Sequence, residues 1–317
     1  MIISASYKTD IPTFYGEWFK NRLAAGYCMM VNPYNRRPQR VDLSRGSVDG
    51  FIFWTKNLGP FLDVLKIVED QGFPFIVEYT INAYPRNLEF SVVDSKKSVE
   101  HMASVAENFG PNVGVWRYDP IVFSSVTPPD FHRDKFERLA ASLEGITDEV
   151  VISFAQIYKK TRRNMDEAAT EFGFSWEDPQ DSLKLSLAAD LAQMATKRGI
   201  RLTMCSQDKY LAPGISPAKC VDAERLSLVA GYPILAELKG NRPDCGCFAS
   251  KDIGEYDTCP HGCVYCYAVQ NRGLAKSRYQ DHDPSSEFLF TPKNLSVRDP
   301  LSPQTDPKKE PVQIPLL

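Results

Sequence analysis

Histidine is scarce in this chain, four in 317 residues, and none of the four sits in a His-Glu-x-x-His pair of metal ligands. A Gly-x-x-x-x-Gly-Lys loop and a Gly-x-Gly-x-x-Gly turn are missing as well. Phosphate-loop chemistry, a Rossmann dinucleotide site and Ser-His hydrolysis therefore have no support in the residues. His132, in Asp130-Phe131-His132-Arg133, is expected to face solvent near a helix start rather than to act as a base. No apolar run reaches the ~20 residues that a membrane helix needs. The opening residues, Met1-Ile2-Ile3-Ser4-Ala5-Ser6, carry neither a basic stretch nor a long apolar segment, so we expect a cytoplasmic protein with no membrane partner. A surplus of charge is lacking too. The formal net charge is -3, and the basic groups Arg36-Arg37-Pro38-Gln39-Arg40 and Lys159-Lys160-Thr161-Arg162-Arg163 are short, so nucleic acid is not indicated.

Cysteine, by contrast, occurs eight times, and seven of the eight fall after residue 200. In a reducing compartment, clustered thiols bind metal or do redox chemistry more often than they form disulfides. Cys28, beside Met29 and Met30, stands apart from the others and is expected to be a packed free thiol.

The scaffold is legible from periodicity. Short β-branched and aromatic runs alternate with segments of helical period, the pattern of repeated βα units and a mainly parallel sheet. Strands are expected at Ile2 to Ser6, Gly50 to Trp54, Phe73 to Thr80, Val113 to Tyr118, Glu149 to Phe154, Ile200 to Cys205 and Ile234 to Leu238. Helices are expected at about Phe61 to Val68, Val99 to Phe109 and Gln180 to Arg198. With no composition break between units, this reads as one α/β domain over 1–282, a partial or closed βα barrel like a TIM barrel, with a Cys-rich C-terminal segment at 245–270. Seven prolines from Pro284 to Pro315 punctuate the rest, so 283–317 is expected to be an extended or disordered tail.

Three thiols stand at spacings of four and three residues in Cys259-Pro260-His261-Gly262-Cys263-Val264-Tyr265-Cys266, where Pro260 and Gly262 force a loop. Three thiolates can hold three corners of a 4Fe-4S cube and leave the fourth iron open to a ligand such as the amino and carboxylate groups of S-adenosylmethionine (SAM). The same residues also allow a structural zinc site completed by His261, Cys245 or Cys247, or a closed cluster with a fourth cysteine.

Cys-x-x-x-Cys-x-aromatic-Cys is the cluster motif of the radical SAM enzymes, and residues 259–266 resemble it, with Tyr265 in the aromatic slot. Tyr265-Cys266-Tyr267-Ala268 is also similar to a run in relatives of spore photoproduct lyase. The resemblance implies reductive cleavage of SAM to a 5'-deoxyadenosyl radical that takes a hydrogen from a substrate. It also implies an electron donor such as a flavodoxin or ferredoxin. In most of those enzymes the triad follows the first barrel strand. Here it follows the last recognisable one, which in a closed or nearly closed barrel is the first strand's neighbour.

Over about the first 270 residues the chain resembles the family called domain of unknown function 1848. Four stretches carry the likeness: Ile-Ile-Ser-Ala-Ser-x-x-Thr-Asp-Ile-Pro at 2–12, Phe-Trp-Thr-Lys-Asn at 53–57, Trp-Arg-Tyr-Asp-Pro-Ile at 116–121 and Asp-Ile-Gly-x-Tyr-Asp-Thr-Cys at 252–259. That resemblance implies no particular reaction.

Cys205, Cys220, Cys245 and Cys247 form a second group, enough for one tetrahedral zinc or a second cluster. Chemistry in βα barrels gathers at the C-terminal ends of the strands. The polar residues expected there are Lys8, Thr9 and Asp10, then Thr55, Lys56 and Asn57, then Glu78 and Thr80, then Arg117 and Asp119; Gln156 and Tyr158 follow the fifth strand. Lys56, Arg117 and Asp119 are the candidate catalytic residues, and Tyr265, Asp10 and Glu78 the candidate cofactor-binding ones. Arg117 can equally serve only in an ion pair with Asp119 or Glu78. Taken together, the residues point to an iron-sulfur enzyme that acts with SAM on an unidentified substrate. A binding or electron-transfer protein stapled by zinc or a closed cluster is the competing reading.

Overall fold

Apolar runs bounded by turn residues become strands, and the striped segments between them become helices. The computed structural model describes residues 1–32, 37–240 and 242–291. β1 (Ile2–Ala5) leads into α1 (Ile11–Phe14) and α2 (Gly16–Ala25), and β2 (Tyr27–Val31) pairs with β3 (Pro38–Asp42) in an antiparallel ribbon. Next come β4 (Gly50–Thr55), α3 (Leu62–Asp70), β5 (Phe75–Thr80), α4 (Ser95–Phe109), β6 (Gly114–Ile121), β7 (Phe123–Ser124) and α5 (Pro129–Leu143). The second half holds β8 (Glu149–Phe154), α6 (Lys159–Phe172), β9 (Trp176–Glu177), α7 (Asp181–Lys197), β10 (Arg201–Met204), β11 (Ile215–Pro217), α8 (Ala223–Ala230), β12 (Ser250–Asp252) and α9 (Arg272–Gln280).

Eight strands form one sheet in the order β11-β10-β8-β6-β5-β4-β1-β12, every ladder parallel. Seven of them follow chain order and the eighth lies beside the first, which is the strand order of a βα barrel. Among the described residues no ladder joins β11 to β12, so the sheet has one open seam. A single backbone bond, Phe248 N to Val221 O at 2.9 Å, ties the segments flanking it.

Both faces of the sheet are buried, as a parallel sheet requires. Phe51, Phe53, Phe75, Val77, Trp116, Val150 and Ile152 face the helices. Ile2, Ile52, Ile76, Val115 and Val151 form an inner row, and Leu226 of α8 packs against it. A Cβ on Gly50 would lie 2.7 Å from Leu226 Cδ2, so only glycine admits this helix so close to β4. Arg225 anchors α8 by bonds to Asp148, Glu149 and Asn112 O, all of which precede or begin strands. α8 thus occupies the N-terminal end of the sheet, and side chains fill the other end.

Some expectations need correction. Ile234 to Leu238 is not a strand and makes only an isolated bridge, Leu238 with Phe248. The seventh and eighth strands are instead Ile215–Pro217 and Ser250–Asp252, each too short to show an alternating pattern. His132 does not face solvent. It is fully buried, contacting Tyr118 Oη at 3.1 Å and Val122 O at 3.0 Å. The expected tail begins with a docked segment: Met29 N donates to Glu287 O, Trp18 Nε1 to Ser286 O and Asn21 Nδ2 to Pro284 O, and Leu289 is buried. Residues 292–317, with most of the tail's prolines, lie outside the described residues, as does Arg36.

Candidate metal centre

The loop bearing Cys259, Cys263 and Cys266 is set in place by the end of β12. Asp252 accepts from Ser4 Oγ (3.0 Å), Ser6 Oγ (2.8 Å), Tyr7 N (3.0 Å) and Gly254 N (3.0 Å), and pairs with Lys8 Nζ at 3.3 Å. One buried carboxylate therefore joins the eighth strand to the first. Beyond it, Tyr15 Oη donates to Thr258 O and Tyr267 Oη to Tyr7 O, each at 2.6 Å. The loop also borders the segment after β5: Ser91 N donates to His261 O (3.0 Å) and Val264 N to Leu88 O (3.1 Å). Gly262 sits at φ +75° against Phe90, a backbone conformation that side chains rarely adopt.

Within this loop the three sulfurs are held differently. Ala268 N donates to the Cys266 sulfur at 3.3 Å, and the backbone amides of His261 and Asp10 near Cys259, and of Val269 near Cys266, favour the thiolate forms. Cys263 is buried with the Lys56 ammonium nearby. Burial pushes the Cys259 thiol up to about 12 and raises Cys263 and Cys266 as well, with Lys56 opposing the rise at both of the latter. N–H donors aimed at sulfur and an adjacent cation are what a thiolate needs once a metal has displaced its proton. Among the described residues no three His, Cys, Asp or Glu side chains converge as ligands of a single ion.

Asp10 is the hinge between loop and sheet. Its Oδ1 accepts from Thr13 N (2.9 Å), capping α1, while Oδ2 accepts from Lys56 N (2.7 Å) and lies 2.7 Å from His261 Nε2. Lys56 Nζ pairs with Glu89 at 2.8 Å, and Tyr265 Oη donates to the same Glu89 oxygen. Arg117 spends its guanidinium inside the mouth: Nε and Nη2 grip Asp119 at 2.9 and 2.7 Å, and Nη1 meets Glu78 at 2.7 Å. Burial pushes the Glu78 carboxyl up to about 8 against the pull of Arg117. The structure brings Asp10, Lys56 and Tyr265 against the triad loop. Arg117, Glu78 and Asp119 form a separate network, with the Arg117 guanidinium 5.0 Å from the Trp54 ring centroid.

Sequence reasoning missed Glu89, Asp252 and the His261 contact. Glu89 lies between Leu88 and Phe90 in the loop after β5, and no local signal marks it. Of the second cysteine group, Cys205 and Cys220 meet, Sγ to Sγ at 3.5 Å, and Cys247 Sγ accepts from Val221 N, the residue after Cys220, at 3.4 Å. Cys28 is buried and free, as expected. Among the described residues no helix is long and apolar enough to cross a membrane.

A family model described as domain of unknown function (DUF1848) matches residues 2–268. No match is found among curated proteins. Among solved structures, a D-hydantoinase from Bacillus sp. AR9 is similar at 10% identity and a TM-score of 0.28, over 51% of this chain and 35% of that one. A second D-hydantoinase, at 12% identity and a TM-score of 0.32, is matched over 76% of this chain and 51% of its own. The dihydropyrimidinase from Brevibacillus agri NCHU1002 is matched over the same shares, at 10% identity and a TM-score of 0.33. The chain thus spans about half or less of each of these proteins, and likenesses this weak carry no argument about fold or activity.

Proposed function

The chain belongs to the DUF1848 family, and on that footing we propose that it is an iron-sulfur enzyme of the radical SAM type built on a βα barrel. Cys259, Cys263 and Cys266 would hold three irons of a 4Fe-4S cluster. When bound, the cluster supplies one-electron reduction of SAM at the iron that no cysteine holds. The observation that carries the reading is the loop itself. Its three thiols have the Cys-x-x-x-Cys-x-aromatic-Cys spacing, the Cys266 sulfur accepts the Ala268 N–H, and Tyr267 ties the loop to Tyr7 beyond the C-terminal end of β1.

The chain's own residues then have distinct tasks. Asp10 and Tyr265 keep the loop against the mouth through His261 and Glu89. Lys56 places a cation beside Cys263, and Asp10 orients it from the backbone side. Arg117, Glu78 and Asp119 form a rigid polar floor for the substrate. Because every guanidinium nitrogen of Arg117 already meets a carboxylate, that floor recognises its ligand chiefly through the carboxylate edges. A flavodoxin or ferredoxin would deliver the electron.

The test is anaerobic reconstitution with iron and sulfide, followed by electron paramagnetic resonance of the reduced protein with and without SAM. We expect about four irons per chain at the triad, a spectrum that shifts on adding SAM, and 5'-deoxyadenosine as product. Cys263→Ala should abolish all three. Iron uptake with no response to SAM would leave an electron-transfer protein, and an unchanged iron content in Cys263→Ala would refute the ligand assignment.

A further inference from the structure

Four cysteines remain that the triad does not use, and they come from three places in the chain. Cys205 follows β10, Cys220 follows β11, and Cys245 and Cys247 precede β12. They flank the seam between β11 and β12, where no ladder forms among the described residues. Cys205 and Cys220 sulfurs stand 3.5 Å apart, and Cys247 is the neighbour that perturbs the Cys220 thiol on one side and is perturbed by Cys245 on the other, so the four follow one another in a row. In a tetrahedral zinc site with Zn–S of about 2.3 Å, two sulfurs stand about 3.8 Å apart along each edge. The Cys205–Cys220 separation is of that size. No such sulfur-sulfur contact links Cys259, Cys263 and Cys266, so the two groups differ in what they can bind.

Two further features point the same way. Four thiolates around a divalent ion carry two net negative charges, which a half-buried site must offset. Two guanidinium groups are at hand: Arg242 Nη2 lies 3.3 Å from Cys205 Sγ, and Arg117 is near enough to favour the thiolate form of both Cys205 and Cys220. The Cys245-Gly246-Cys247 turn also lies flat on β11, since a Cβ on Gly246 would come within 3.2 Å of Ala218 O. It brings Val221 N to 3.4 Å from Cys247 Sγ, an amide-to-sulfur bond of the kind that supports bound thiolate.

We propose that Cys205, Cys220, Cys245 and Cys247 bind a single zinc ion that staples the open seam between β11 and β12. The sulfurs are arranged as a line rather than a closed shell, and no three of them already meet around one point. Zinc binding therefore requires Cys245, the one half-buried thiol of the four, to move toward the other three. The ion supplies the cross-link that backbone bonds give elsewhere in the sheet. This site stands independently of the iron reading, because it shares no ligand with the triad.

The experiment is metal analysis of the full chain purified anaerobically with reductant, without reconstitution, from cells grown in iron- and zinc-replete medium. We expect one zinc per chain in the parent and in Cys263→Ala, and at least a tenfold loss of zinc in Cys220→Ser and Cys247→Ser. Should those variants fail to fold, cobalt replacement in the parent decides: an intense tetrahedral d–d band with sulfur-to-cobalt charge transfer supports the site, and a weak octahedral spectrum overturns it. Iron in place of zinc at these four residues, or a Cys205–Cys220 disulfide with no metal, would likewise overturn it. A zinc content lost in Cys263→Ala but kept in Cys220→Ser would move the ion to the triad and refute both assignments.

Discussion

Asp10 is the residue on which the placement of the triad loop turns, and replacing it gives a graded test. In Asp10→Ala three buried donors lose their acceptor at once: Thr13 N, Lys56 N and His261 Nε2. Leaving a buried donor unsatisfied costs about 1–3 kcal/mol, so the loss should total about 3–5 kcal/mol after some relaxation and water entry. For a domain of this size that corresponds to a melting temperature lower by roughly 6–10 °C. Asp10→Asn behaves differently. The amide can keep an oxygen on the side facing Lys56 N and His261 and turn its NH2 toward Thr13 N, so only the α1 cap is lost, at about 1 kcal/mol. Calorimetry and iron content after reconstitution, measured on both variants, make the assay. We expect Asp10→Ala to bind several-fold less iron than the parent, and Asp10→Asn to bind nearly as much. Full iron loading in Asp10→Ala, or equal losses in both variants, would refute the claim that this carboxylate positions the cysteine loop.

Glu89→Leu strands the Lys56 ammonium in a buried site and should cost about 3–5 kcal/mol in urea unfolding, most of it restored in Lys56→Met/Glu89→Leu. A double variant no more stable than the single one would show that the pair is not coupled. Gly262→Ala forces a side chain into φ +75° against Phe90 and should cost about 1–3 kcal/mol together with much of the bound iron; a thermal shift equal to the parent's would count against the tight fit. His132, pulled down to about 4 by burial, stays neutral in the folded chain, whereas the unfolded chain takes up its proton near pH 6.5. Stability should therefore fall by up to about 3 kcal/mol as pH drops from about 6.5 to 4, and His132→Asn should flatten that slope in denaturant titrations; an unchanged slope would sink this account.

Much of the scaffold was legible because its long strands and helices carry strong periodicity. Glu149–Phe154 appears with the expected bounds, and Gln180 to Arg198 shortens only to Asp181–Lys197. The seventh and eighth strands were not legible. At three residues each they hold too few side chains for an alternating pattern, and neighbouring strands rather than intrinsic preference select their conformation. α8 has the stripe of an ordinary outer helix, and only the Gly50 gap and the Arg225 contacts reveal that it closes one end of the sheet. At the site, the cysteines and the strand-end ions stood out by residue type and spacing. Glu89 and Asp252 did not, because a lone acid in a loop or at the end of a very short strand looks like any solvated carboxylate.

The late position of the triad in the chain follows from topology. In a parallel sheet every strand delivers its next residues to the same rim, so what decides a loop's surroundings is the neighbour of its strand, not its place in the sequence. β12 pairs with β1 in register Ile2 to Ser250 through Ser4 to Asp252, and the Asp252 carboxylate then binds the residues that leave β1. A loop that starts seven residues beyond that point, at Cys259, emerges directly over the first strand, and Tyr267 bonds back to Tyr7 to close the circuit. A cysteine loop placed after the first strand would reach the same ground from the opposite side. The cost of the C-terminal solution is that a three-residue strand must hold the loop, which explains why so many buried polar groups, Asp252, Lys8, Asp10 and His261 among them, are committed to that one corner.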